Sequence, residues 1–188
     1  LRAYSMSNSP GNDTVAEFNI RIAPPPKGSA FPPGAASCYT WSRKPGDRVT
    51  LVGPAGDFEI KDTDREMVFV GGGAGMAPMK AMILELFEVL KTKRLVKFYY
   101  GARARRDLFY VDIFTNIAKQ FPNFEYIPAL SEPLPGDNWT GPVGFIHKVV
   151  EQHLPQEWWE LAEWYLCGPP LMIDAVEKML YGRGIKKE

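Results

Sequence analysis

Two rhythms of apolar and polar positions meet near residue 62. Upstream, Glu17-Phe18-Asn19-Ile20-Arg21-Ile22 alternates with period two, as a half-buried strand does. Residues 2–6 and 48–52 are two further short strand candidates. Pro24-Pro25-Pro26, Pro32-Pro33-Gly34, Pro45-Gly46 and Gly53-Pro54 interrupt them. Short strands between tight breakers predict an antiparallel sheet or barrel, and three strands are few for a closed one. Downstream, apolar runs at 67–70, 96–100, 124–130 and 164–167 predict further strands. The first three recur about every thirty residues, the length of a strand–helix–strand unit. Between them Met79, Met82, Ile83, Leu86, Phe87 and Leu90 follow helical spacing, with Lys80, Glu85 and Glu88 off that face. Residues 111–121, 144–153 and 171–180 predict three more helices, and 38–41 a short one. The fold expected is therefore α/β: a doubly wound parallel sheet over residues 62–188, preceded by a partial antiparallel β-barrel over residues 1–61.

Composition narrows the classes. The chain has 188 residues, 45% of them hydrophobic and 13% aromatic, which argues against disorder. A chain of this size buries roughly 70% of its unfolded surface, enough for a sizeable core. Twenty-two Lys and Arg balance 22 Asp and Glu, so there is no net-charge footprint for nucleic acid. No apolar run approaches the roughly 18 residues that span a bilayer. Two cysteines, Cys38 and Cys167, are too few for a disulfide scaffold or a cysteine metal cluster, so no metal site is expected. The chain begins at Leu1 and reads as mid-protein sequence, so it is expected to be a piece of something longer.

The strongest chemical signal is Val68-Phe69-Val70-Gly71-Gly72-Gly73-Ala74-Gly75-Met76-Ala77-Pro78. A strand runs into glycines and a proline opens a helix. Glycine admits φ > 0 and close approach of a ligand to the backbone. Pro78 suits a first helical turn, where its missing N–H is not needed. Free N–H groups and the helix dipole then favour an anion such as a pyrophosphate. Met76 stands where the usual dinucleotide fingerprint has its third glycine, and no Gly-Lys-Ser/Thr follows, so this is neither that motif nor a Walker loop. A glycine-rich turn without a ligand is the plainer alternative.

Four further clusters are weaker. Arg2-Ala3-Tyr4-Ser5 puts a cation, an aromatic ring and a hydroxyl within four residues, with Arg2 and Tyr4 on one face of a strand and Ser5 on the other. Gly34-Ala35-Ala36-Ser37 leads into the short helix, where small residues suit a phosphate on backbone N–H groups. Tyr100-Gly101-Ala102-Arg103 ends the second parallel strand, and Cys167-Gly168-Pro169-Pro170 ends the last. Ligands of open α/β sheets bind outside such carboxyl ends, so Arg103, Arg105 and Arg106 are placed for phosphate or ribose and Cys167 for the cleft. An ordinary strand, a loop-to-helix junction, a solvated basic loop and an inert core cysteine are the respective alternatives. His147 and His153 read as helix-surface residues.

In this order, Arg-x-Tyr-Ser, Gly-x-x-Ser, the glycine loop ending in Ala-Pro and Cys-Gly-Pro resemble the ferredoxin–NADP reductase superfamily. Within it, Arg2-Ala3-Tyr4-Ser5-Met6, 70–79, Tyr100-Gly101-Ala102-Arg103, Asp137-Asn138-Trp139-Thr140-Gly141 and Cys167-Gly168-Pro169-Pro170 look like the F subunits of sodium-translocating NADH:quinone reductases. The resemblance covers nearly the whole chain. It implies an oxidoreductase using FAD and NADH, with hydride passing from nicotinamide to flavin and electrons then moving to a [2Fe–2S] centre outside this chain and on to quinone. It implies that residues 1–61 are the C-terminal part of an FAD-binding barrel domain. Residues 62–188 would be an NAD(H)-binding domain lacking its extreme C-terminus. Arg2 would contact the flavin phosphate, Tyr4 stack on the ring and Ser5 bond near its reactive nitrogen. Gly34, Ala35, Ala36 and Ser37 would hold the FAD pyrophosphate. Gly72, Gly73, Gly75, Met76 and Pro78 would cradle that of NADH, with Cys167, Gly168 and Pro169 by the nicotinamide. Relatives that use NADPH commonly carry Ser-Arg after the third parallel strand. This chain has Ser131-Glu132, and a carboxylate there would repel a 2′-phosphate, so NADH is expected. The implied partners are other subunits of a membrane-bound respiratory complex, on the cytoplasmic side of the bacterial inner membrane. The other functions weighed are the reductase component of an aromatic-ring oxygenase and a nucleotide-binding piece without turnover.

Overall fold

The structure is a computed structural model and describes residues 2–9, 11, 14–22, 24–25, 27–28 and 33–186. Its centre is a sheet of four parallel strands, β1 (Met67–Gly72), β2 (Val96–Ala102), β3 (Phe124–Leu130) and β4 (Glu163–Cys167), in the spatial order β3-β2-β1-β4. The pairing is in register from Met67 opposite Val96 on one side and Glu163 on the other. Helices α2 (Met76–Leu84), α3 (Val111–Gln120), α4 (Ile146–His153) and α6 (Pro170–Gly182) flank it. A short α5 (Trp158–Leu161) precedes β4. Every residue of β1 is buried, as a central parallel strand covered on both faces requires.

The strand alternation sorts the core into two layers. Met67, Phe69, Phe98 and Tyr100 pack with Met79, Ile83 and Leu86 of the α2 segment and Phe114 and Ile117 of α3. Val68, Val70, Tyr99, Ile127 and Ala129 pack with Val149 and Val150 of α4 and Val176 and Leu180 of α6. Each fully buried aliphatic or Phe side chain contributes roughly 1.5–3 kcal/mol. The sheet is thus doubly wound, as the two faces of its strands require. The apolar stripe of α2 runs on through a π-helical turn at Glu85–Val89, which the unbroken periodicity does not betray.

The first sixty residues hold less regular structure than their pattern predicts. Residues 2–6 and 17–22 do lie antiparallel, but only Met6 and Phe18 form a bridge, with Ser7 N–H donating to the Glu17 carbonyl at 2.8 Å. Residues 48–52 form no strand and are exposed. Alternation supplies a face to bury; a ladder also needs a neighbour for each edge. The short helix is longer than 38–41: α1 spans Ala35–Trp41. No helix among the described residues is long and apolar enough to cross a membrane.

Candidate functional site

The chain leaves β1 for β2 on one side, while β4 pairs with β1 on the other. This reversal opens a crevice at the carboxyl ends of β1 and β4, where ligands of such sheets bind. A cleft of about 380 Å³ lies there. One wall is Gly72, Gly73, Ala74, Gly75 and Ala77 from the turn after β1, a second is Cys167, Gly168 and Pro169 from the end of β4, and the third is Ala3, Tyr4, Ser5, Asn19 and Arg21 from the antiparallel pair.

The two sheet-end turns touch backbone to backbone. A Cβ on Gly75 would lie 2.2 Å from the Cys167 carbonyl oxygen and 2.6 Å from the Gly168 nitrogen, so only glycine allows this approach. Gly73 adopts φ 54°, the left-handed region that glycine enters without strain. Its carbonyl accepts a hydrogen bond from the Tyr100 hydroxyl at 3.2 Å. Burial holds that phenol well above its ordinary range, so it stays a donor. The segment Gly73–Gly75 forms a tight turn, and α2 starts directly from it at Met76.

Cys167 is half-buried, and burial raises its thiol above the usual value. At neutral pH it is a neutral thiol, neither a base nor an activated nucleophile, on the wall of the cleft. Tyr4 keeps 39% of its surface exposed, leaving a ring face available in the cleft.

Other predicted residues lie outside this cleft. Met76 is wholly buried in the core and Pro78 is buried in the first turn of α2, so their contribution is to the helix start. Arg2 is exposed and engaged in a contact of its own. Gly34 immediately precedes α1 and accepts hydrogen bonds from Cys38 N–H at 2.9 Å and the Ser37 hydroxyl at 2.9 Å; Ala35 and Ala36 form the first turn. Arg103 and Glu132 pair with each other at 2.8 Å, and the Glu132 N–H donates to the Arg103 carbonyl. Ser131 N–H bonds the Ala102 carbonyl, which fixes both ends side by side. Arg105 donates to the Asp137 carbonyl, and its N–H to the Asp137 carboxylate. N–H groups of Leu134 and Arg105 hold that carboxyl below its usual range. Two cations of the basic loop are therefore committed to carboxylate-bearing residues. Asn19 and Arg21 are cleft residues that motif reading passed over; their signal was the period-two run, which puts both on one face.

Sheet, switch point and glycine turn define a nucleotide-binding α/β oxidoreductase domain. The chain belongs to the oxidoreductase NAD-binding domain family, which matches residues 69–178. It is 53% identical over its whole length to the F subunit of the Na(+)-translocating NADH-quinone reductase of Neisseria meningitidis. It covers 47% of that protein, so the chain spans about half the length of the curated relatives it matches. Among solved structures, the ferredoxin reductase in carbazole 1,9a-dioxygenase matches with a TM-score of 0.74 and 33% identity, over 99% of this chain and 53% of that one. The flavohem-like FAD/NAD-binding domain of nitric oxide dioxygenase from Vibrio cholerae matches with a TM-score of 0.78 and 27% identity, over 99% of this chain and 73% of that one. The ferredoxin reductase-like α/β fold expected from the sequence is the fold of the chain.

Proposed function

We propose that this chain is the NADH-oxidising part of a sodium-translocating NADH:quinone reductase, aligning nicotinamide and flavin for hydride transfer in the cleft. The observation that carries the reading is the meeting of Tyr4 and Ser5 with the glycine turn and Cys167 around one cavity. The residues fit such groups: an available aromatic face for a flat ring and a glycine backbone for phosphates. The 53% identity to F subunits, against 33% to the oxygenase-linked reductase, favours the pump.

A bound FAD would supply the hydride acceptor and a route for single electrons toward a [2Fe–2S] centre and quinone beyond this chain. Tyr4 stacks against the ring, Ser5 bonds its edge and Arg2 its phosphate. Gly34 to Ser37 present backbone N–H groups to the FAD pyrophosphate, and Gly72 to Gly75 present theirs to NADH at the start of α2. Cys167, Gly168 and Pro169 exclude water beside the nicotinamide. The residues align the rings and transfer no proton, so proximity carries the catalysis. Ser131, Glu132 and Arg103 read the adenosine ribose. The boundary between flavin and NAD(H) domains falls near Asp62. The parent assembly is a membrane complex, and this part faces the cytoplasm.

Replacing Tyr4 by Ala in the full-length protein tests the cleft as a flavin site. Loss of ring stacking and burial should weaken FAD binding by roughly 1–3 kcal/mol, about 5- to 150-fold in dissociation constant. Unchanged FAD affinity by equilibrium dialysis removes Tyr4 from the site.

A further inference from the structure

Asn19 lines the cleft, and its Nδ2 is buried without a hydrogen-bond partner. Its other end is occupied: the Tyr110 hydroxyl lies 2.6 Å from Asn19 Oδ1. The orientation of the carboxamide is therefore set, and the unsatisfied end is the donor. Buried donors nearly always have acceptors, so one that lines a ligand cleft points to an acceptor on the ligand.

Tyr110 is itself held in place. It stands just before α3 with φ 56°, a conformation that a bulky residue adopts only when its surroundings enforce it. The Lys80 ammonium lies 4.5 Å from its ring centroid and 2.9 Å from the Glu17 carboxylate. Lys80 is 6% exposed, and these two contacts fix it against Tyr110 and Glu17. Glu17 and Asn19 are two apart on one segment, hence on one face, and both are tied to the α/β domain. In the antiparallel register set by Met6 and Phe18, Asn19 falls opposite Ser5, which lines the same cleft.

We infer that Asn19 is a cofactor-contacting residue, donating a hydrogen bond from Nδ2 to an acceptor on the edge of the flavin ring, and that Tyr110 is its positioning residue. This rests on the reading of the cleft as a flavin site. The chemical consequence is electronic. A donor at a ring carbonyl or nitrogen stabilises the electron-rich reduced ring more than the oxidised one. Asn19 therefore raises the flavin's midpoint potential.

The test is spectroelectrochemical titration of the full-length, FAD-loaded protein and its variants. Asn19→Leu should shift the visible flavin band and lower the midpoint potential. Asn19→Asp, which replaces the donor with a negative charge, should lower it further. Tyr110→Phe keeps the ring under Lys80 and removes only the hydroxyl that orients the amide; it should lower the potential by less. Loaded Asn19 variants with the wild-type spectrum and potential overturn the inference. If Asn19 variants fold without holding flavin, Tyr110→Phe decides: a lowered potential supports the inference, and a wild-type spectrum and potential overturn it. A wild-type protein that binds no FAD overturns the reading of the cleft and this inference with it.

Discussion

Glu132 and Arg103 stand at neighbouring strand ends, joined by a side-chain pair and a backbone hydrogen bond. The sequence alone shows the carboxylate after the third parallel strand and the basic residues after the second. It does not show that they neutralise each other, because that depends on the register that sets Ala102 beside Leu130. On the proposed reading, Glu132 would both repel a 2′-phosphate and occupy Arg103, the cation that would receive it. Glu132→Arg should raise the NADPH-to-NADH ratio of kcat/KM about ten-fold, since repulsion becomes attraction and Arg103 loses its partner. Steady-state kinetics of the full-length variant checks this; an unaltered ratio shows that Ser131-Glu132 does not read the 2′ position. Gly75 is a similar case. Its place in a glycine run was legible, but the need for glycine there comes from the Cys167 carbonyl, 92 positions away in the chain.

The parallel strands and their flanking helices were legible because each buries a whole face, and burial leaves a period in the sequence. The four-residue α5 buries Trp158 and Trp159 but is too short to show a period, and residues 48–52, whose pattern predicts a strand, lie exposed without one. Glu163, the first residue of β4, shows how one element is tied to the chain before the sheet. Its carboxylate accepts from the Thr63 hydroxyl at 2.6 Å, Arg94 at 2.6 Å and the Tyr165 hydroxyl at 2.9 Å, while Lys61 N–H donates to Tyr165. Burial by itself would raise the carboxyl's pKa; the three donors outweigh it and hold it below 4.5. A carboxyl depressed in the folded state stabilises the protein above its unfolded value and loses that effect as pH falls through the folded value. Glu163→Gln should therefore destabilise the protein near pH 7, where the ionised carboxylate pairs with Arg94. The gap to wild type should close as the pH drops below about 4.5. Urea unfolding at pH 7 and in acid checks it; a gap of equal size at both contradicts the assignment.

At the level of the whole molecule, a cleft draws on parts far apart in the chain: residues 3–5 with 19 and 21, residues 72–75 with 77, and residues 167–169. Motif order suggested that they belong to one site. Their convergence is a property of the fold, since the strand order β3-β2-β1-β4 puts the turn after β1 beside the end of β4. The antiparallel segment then closes the third side through Glu17 to Lys80 and Asn19 to Tyr110. Zero net charge over 188 residues had pointed only to an ordinary domain without a nucleic-acid footprint. On the proposed reading, the cleft serves redox chemistry between two rings. Anaerobic titration of the full-length, FAD-loaded protein with NADH tests this most directly. The flavin absorbance should bleach as NADH is added, reaching completion once the NADH has supplied two electrons per flavin and one for each [2Fe–2S] centre that draws on it. A flavin-loaded protein whose absorbance stays unbleached under excess NADH would contradict hydride transfer in this cleft.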